Sequence, residues 1–242
     1  AGVYSDYERV LKQRNTLLRT SKNLPANSPG LSTLDSWDES LVKIGSEIIA
    51  SRHEIIQRMI PHLKDAYAAI ADEKNDPNIS IRSSLLAKSI VEPELEVDGV
   101  YLETNNREEI EALFRAKLLE VRPKELERGV TLVGPHRDDL VLFLGTLPAK
   151  GYISHGESWS YTLALKLASA ALLRKDSRAG DPVLILDDVF AELDLIRRSR
   201  LANLIADNEQ VIITAAVAED VPSELRASRF VVLAGTVEGQ ND

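Results

Sequence analysis

The sequence predicts a mainly α-helical first half with a small β element, followed by an α/β second half, with the boundary near Arg128. Three observations carry this. Residues before Arg128 place their apolar side chains at helical spacing. From Ser154 onward, strand-like and helix-like stretches alternate, which is the α/β pattern. Among them Pro182-Val183-Leu184-Ile185-Leu186 runs apolar without alternation and stops on Asp187-Asp188. A run that short and uniform predicts a strand buried on both faces, as in the middle of a parallel sheet.

In chain order, Tyr4 to Lys22 reads as a helix with Tyr7, Val10, Leu11, Leu17 and Leu18 on its apolar side. Two prolines and a glycine between Asn23 and Ser32 break it. Ser36 and Glu39 have capping-box spacing and predict the start of a second helix. Its apolar series, Trp37, Leu41, Ile44, Ile48, Ile55 and Met59, approaches a coiled-coil seam, so a lever arm and an ordinary bundle helix are both open. Pro61 should end or kink it, with a further helical piece from His62 to Asp72. Asp76-Pro77-Asn78 is a loop, and Ile79 to Leu86 and Leu95 to Leu102 are short strands, the latter with the turn pair Asp98-Gly99. Asn105 and Glu108 suit a third helix start, with Ile110, Leu113, Phe114, Leu118 and Leu119 as its buried face, an interruption at Pro123 and a stop at Gly129.

Past the boundary, Val130 to Val133 and Leu140 to Leu144 read as strands flanking Gly134-Pro135-His136-Arg137-Asp138-Asp139. Ser154 opens a helix from about Glu157 to Arg174 that is apolar nearly all round and should be deeply packed. After the acidic strand come a helix from Leu195 to Ala206 and strands at Val211–Thr214 and Phe230–Leu233.

At 242 residues and 44% hydrophobic content the chain can bury a substantial core. It has no run of ~18 apolar residues and no charged-then-apolar leader, so no membrane is expected, and the absence of cysteine suits a cytoplasmic protein without disulfides or thiolate metal sites. The four histidines show no ligand spacing. A net charge of −9 argues against a chain coated in nucleic acid, and the basic groups around Arg14, Arg115 to Arg128 and Arg197 to Arg200 read as solvated helix faces.

The chemistry concentrates after Ser154. In open α/β sheets ligands sit outside the carboxyl ends of strands, so Asp187 and Asp188 are candidates for holding Mg²⁺ and for orienting a water that attacks a phosphate. Such a pair can equally cap the next element. Ser154 and Glu157 can form a capping box, yet Ser-x-Gly at a helix start is also a phosphate cradle, with Gly156 permitting close approach. Asp194 can be the N-cap of the helix that follows.

The order of these blocks resembles the C-terminal lobe of an ABC-type ATPase head, and the chain resembles the RecF family of bacterial DNA-repair ATPases. The residues that carry this are Gly134 to Leu140, Ser154-His155-Gly156-Glu157 as the signature motif, Leu184 to Asp188 as Walker B, Asp194 as the D-loop and the opening Tyr7 to Asn15. The resemblance implies a helical arm domain over 1–128, the ATPase lobe over 129–242, and a DNA-binding protein that dimerises head to head around ATP. It implies double-stranded or gapped DNA and RecR/RecO-type proteins as partners, in recombinational repair and the SOS response. Ser154 and Gly156 would meet the γ-phosphate held by the opposite protomer, with Glu157 and Asp194 also at the nucleotide, Asp187 would serve Mg²⁺, and Asp188 would stand where most ABC ATPases place a catalytic glutamate. That aspartate, and Ala215 in place of a switch histidine, imply slow hydrolysis.

No G-x-x-x-x-G-K-[ST] occurs, and the chain starts at Ala1 without methionine. The resemblance therefore implies that the lobe gripping the α- and β-phosphates lies outside this chain, which alone should bind ATP poorly and not hydrolyse it. Two other classes stay open. A metal-dependent nuclease would use Asp187, Asp188 and Asp194, with Asp138 and Asp139 as further acids. A non-enzymatic scaffold would dock a partner on its long helices.

Overall fold

The structure is a computed structural model that describes residues 2–22, 32–71, 75–87, 101–178, 180–225 and 228–240. The chain divides into two compact units, one of Ala1–Ile60 and Asn78–Gly151, the other of Pro61–Pro77 and Tyr152–Asp242.

The first unit is built on three helices, α1 (Gly2–Thr20), the larger part of α2 (Ser32–Ile70) and α3 (Arg107–Arg128). Its core gathers Tyr7 and Val10 of α1, Leu41, Val42, Ile48 and Ile49 of α2, and Ile110, Phe114, Leu118 and Val121 of α3, with Leu85, Leu102 and Val133 from loops. The buried side of α2 is a broad bundle face and not a narrow seam, since Leu41, Val42, Ile48, Ile49 and Ile56 are buried while Ile55 is exposed. On α3, Leu113 and Leu119 face solvent and Val121 and Leu126 are buried in their place.

Several local expectations are corrected. α2 begins at Ser32, a turn before Ser36, and Glu39 pairs with Arg115 at 2.9 Å and does not cap. The cap of α3 is Asn106, one residue after Asn105, its side chain accepting from the N–H groups of Glu108 and Glu109. Pro61 and Pro123 lie inside continuous helices. A proline there forfeits one backbone bond and crowds the preceding turn, but packing decides helix stability, and Leu63, Tyr67 and Ile70 beyond Pro61 and Leu126 beyond Pro123 are buried. Gly129 does end α3, at φ 69°, donating its N–H to Glu125.

Val130 to Val133 is not a strand. Two of its N–H groups are met by side chains: Thr131 N–H donates to Asn15 Oδ1 and Leu132 N–H to Glu125 Oε1, each at 2.7 Å. Residues Asp139–Leu144 (β2) form a three-stranded sheet in the order β1-β2-β3 with Pro77–Arg82 (β1) and Leu147–Pro148 (β3), so Pro77 opens a strand where a loop was expected. Tyr101 bridges Arg82; the rest of the stretch expected as a strand before Leu102, and the break at 23–31, lie outside the described residues.

The second unit holds α4 (His155–Asp176), β4 (Leu184–Asp187), α5 (Leu195–Ile205), β5 (Val211–Thr214) and a hairpin of β6 (Arg229–Leu233) with β7 (Thr236–Gln240), the last strand unforeseen. β4 and β5 pair in parallel, Leu184 opposite Val211 through Asp187 opposite Thr214. The expectation that β4 is buried on both faces fails. Leu186 is buried, but Ile185 on the opposite face is 67% exposed, because among the described residues β4 has one neighbouring strand. α4 is buried along Ser160, Tyr161, Leu163, Ala164, Ala168 and Leu172 and not all round, with Leu173 exposed.

Candidate functional site

Strand alternation puts Asp187 on the same exposed face as Ile185. Its Oδ1 accepts a hydrogen bond from the Thr214 hydroxyl at the end of β5. Asp188 follows, off the strand, with φ 54° and ψ 21°. This left-handed conformation is uncommon for a residue with a side chain, though aspartate tolerates it better than most. It is held by the Asp188 N–H, which donates to the carbonyl and to the hydroxyl of Thr214, each at 3.2 Å. Thr214 thus fastens both acids.

A 3-10 turn, Val189–Glu192, starts at Asp188, but the Asp188 side chain makes no capping bond to it and is exposed. Capping therefore does not account for this residue. It does account for Asp194, whose Oδ1 accepts from the Arg197 N–H at 2.9 Å at the start of α5. Arg197 also donates Nη1 to Asp194 Oδ2 at 3.0 Å. These bonds, the backbone one foremost, hold the Asp194 carboxyl below the usual carboxylate range.

At α4 the capping box is complete. Ser154 Oγ accepts from the Glu157 N–H at 3.3 Å, and Glu157 Oε2 accepts from the Ser154 N–H at 2.8 Å. The other Glu157 oxygen accepts from Asn75 Nδ2 at 3.1 Å. The box uses the Glu157 N–H and leaves those of His155 and Gly156 without an intrahelical acceptor, as at any helix start. Ser154 thus caps the helix and stands at an anion-favouring end at once. The Ser154 N–H chiefly, then its hydroxyl, hold the Glu157 carboxyl below its ordinary value of 4.5. Because the folded value is depressed, the box contributes fully above pH 4.5 and fades as pH falls through the lower folded value. We expect the Glu157 carboxyl carbon to titrate by NMR with a midpoint below 4.5, and Ser154→Ala to return it toward the ordinary range. A wild-type midpoint at or above 4.5 would remove the box from solution.

Three residues that matter here were not read as site residues: Thr214, Asn75 and Arg197. Only Thr214, polar at the carboxyl end of a strand, carried a local signal. Of the arginines after Asp194, Arg200 is exposed as on a solvated face, while Arg197 and Arg198 are half-buried. Arg198 pairs with Asp220 at 2.9 Å and Arg200 donates to the Ile70 and Ala71 carbonyls at 3.3 Å.

Among the described residues no cluster of three or more His, Cys, Asp or Glu is arranged to hold a metal ion, so the acid cluster that a nuclease reading needs is not formed there. A single carboxylate suffices where phosphates and water supply the other ligands of Mg²⁺. Asp187 fits that case, with one oxygen engaged by Thr214 and the carboxylate exposed. No helix among the described residues is long and apolar enough to cross a membrane.

A helical unit, then an α/β unit whose capped helix start, acid-ended strand and aspartate-capped helix follow in that order, has the fold of the C-terminal lobe of an ABC-type ATPase head with a helical arm. Comparison narrows this to one family. Two solved structures of the recombination mediator protein RecF of the RecFOR pathway, one as RecF-ATP, share the fold over 99% of this chain and 58% of theirs, at a TM-score of 0.74 and 23–24% identity. The DNA replication and repair protein RecF of Clavibacter sepedonicus is 53% identical over 245 residues, and those of Frankia alni and Beutenbergia cavernae are 50% and 48% identical. No family model matches the chain. Each alignment takes in 98% of the chain, which spans about three fifths of the length of these curated relatives. Over nearly all of its length, then, the chain matches part of a RecF protein.

Proposed function

We propose that this chain is the helical arm and the acid-bearing ATPase lobe of a cytoplasmic DNA-repair protein that binds ATP, dimerises on it and acts at gapped or double-stranded DNA with RecR/RecO-type partners. What supports it most is the state of the paired acids. Asp187 and Asp188 stand exposed at the carboxyl end of a parallel strand, both fastened by Thr214, with the Asp188 carboxylate not spent on capping and its backbone strained. Unusual backbone retained at a strand end, where a phosphate would arrive, is the arrangement expected of a site and not of a loop.

The roles follow from position. Asp187 would hold Mg²⁺, whose charge would help neutralise the phosphates. Asp188 would orient and accept the proton of the attacking water. Ser154, Gly156 and Glu157 would present the α4 helix start to the γ-phosphate held by a second copy, with Asp194 at the same nucleotide. The functional division falls near Arg128, the arm over 1–128 and the lobe over 129–242. In the RecF protein that carries these residues, Asp188→Asn should cut DNA-stimulated phosphate release by about a hundredfold, the low end for loss of a general base, with ATP binding retained. Wild-type turnover in that variant would take Asp188 out of the reaction. Nucleotide-indifferent DNA binding by the unsubstituted protein would favour the scaffold reading.

A further inference from the structure

The loop that ends in Asp194 and the helix start at Ser154 meet through one side chain. Arg197, in the first turn of α5, grips Asp194 twice, through its backbone N–H and through Nη1. The same Nη1 faces Gly156. A Cβ placed on Gly156 would lie 3.3 Å from it and 4.0 Å from Cζ and Nη2. That is tighter than ordinary contact, so with a side chain at 156 the guanidinium would have to give by a few tenths of an ångström. The absence of a side chain at 156 thus lets the guanidinium settle against the α4 start.

An exposed i,i+3 ion pair is ordinarily worth little, and that is the reading to beat. Two facts weigh against it. The Arg197 side chain is only 30% exposed, covered in part by the α4 start. Its charge also sits in the first turn of α5 and against the first turn of α4, the positive ends of both helices, where a cation is disfavoured. Helix stability does not put it there. The carboxylates of Asp194 and Glu157 compensate it, and its charge contributes to holding both of them ionised.

We propose that Arg197 is a positioning residue that locks the Asp194 loop to the Ser154–Glu157 helix start, so that both meet a nucleotide phosphate as one unit. The phosphate rests on the functional reading above; the lock is a property of this chain alone. Amide exchange on the chain tests it. In Arg197→Ala the Glu157 amide, bonded to Ser154 Oγ, should exchange about tenfold faster, the loss of one charge-assisted contact, while the interior of α4 and the melting temperature stay unchanged. Arg197→Lys should fall between, keeping the charge and losing the fork. Gly156→Ala, which only crowds the guanidinium, should accelerate Glu157 exchange less than Arg197→Ala does. Unchanged Glu157 exchange in Arg197→Ala overturns the lock, as does acceleration spread through α4 with a lowered melting temperature, which marks a merely structural role. In the RecF protein that carries this chain, Arg197→Ala should weaken ATP-dependent self-association about tenfold. If the unsubstituted protein does not self-associate on ATP, the functional reading fails, and exchange alone decides the lock.

Discussion

Arg14→Met is expected to lower the unfolding free energy by about 3–5 kcal/mol, the usual loss when one partner of a buried ion pair is removed. Arg14 is fully buried on the face of α1 that packs inward. Its Nε donates to Asp38 Oδ1 at 2.6 Å, Nη1 to Thr131 Oγ1 at 2.8 Å and Nη2 to Glu125 Oε2 at 2.7 Å. One guanidinium therefore joins α1, α2, α3 and the loop after α3. Desolvation pushes the Glu125 carboxyl above its ordinary range even with Arg14 beside it. Without the arginine, Glu125 is left in a dry interior without its guanidinium partner, while Asp38 keeps Arg122, and the methionine restores volume but no charge. The Arg14→Met/Glu125→Gln pair should recover part of the loss, because a stranded carboxylate is gone. Urea denaturation followed by circular dichroism measures both. A loss under about 1 kcal/mol in the single variant, the size of a surface pair, would contradict the buried network.

Arg14 also marks where the sequence stops being legible. An arginine between apolar positions on a helix reads as a surface residue, and its partners Glu125 and Thr131 lie 111 and 117 residues away. The same long reach explains why Val130 to Val133, apolar enough for a strand, is a buried loop. Asn15 and Glu125 supply the hydrogen bonds that a sheet would have supplied. What local chemistry decides was readable: the Ser154–Glu157 box, the Asp194 cap and the Gly129 stop each depend on residues within four positions. The acid-ended strand was readable as a strand, but its exposed face was not, since the number of its neighbours is not written in it. In the site the pattern repeats. Asp187, Asp188, Ser154 and Asp194 announce themselves, while Thr214 reaches the paired acids from 26 and 27 positions away, which no local spacing predicts.

Gly134→Ala is expected to cost about 3 kcal/mol or more, from overlap and backbone strain acting together. Gly134 opens the Gly134-to-Asp139 block at φ +121°, where a side chain is strained whatever the space. There is also no space: a Cβ would lie 2.7 Å from Phe114 Cζ and 2.7 Å from the Tyr7 hydroxyl. Both rings are core residues, and the Phe114 ring fills the place a Cβ on Gly45 of α2 would take, so it is hemmed in on that side as well. Tyr7 is further fixed by its hydroxyl, 2.8 Å from His136 Nδ1 within the block, and burial brings that imidazole down to about 4. A neutral ring can accept from Tyr7 at Nδ1 while Nε2 donates to the Thr131 carbonyl at 3.3 Å. On the other side Asp138 Oδ1 accepts from the Ser84 N–H and hydroxyl, both at 2.8 Å. The block that carried much of the family resemblance therefore acts as a clasp on the helical core. Gly145 supplies the control, because its φ is +62° but nothing lies within 4 Å of a built Cβ. Gly145→Ala should cost only the strain, about 1 kcal/mol. Equal losses in the two variants by denaturant titration would mean that the Phe114 and Tyr7 contacts contribute nothing, and the clasp would reduce to an ordinary turn.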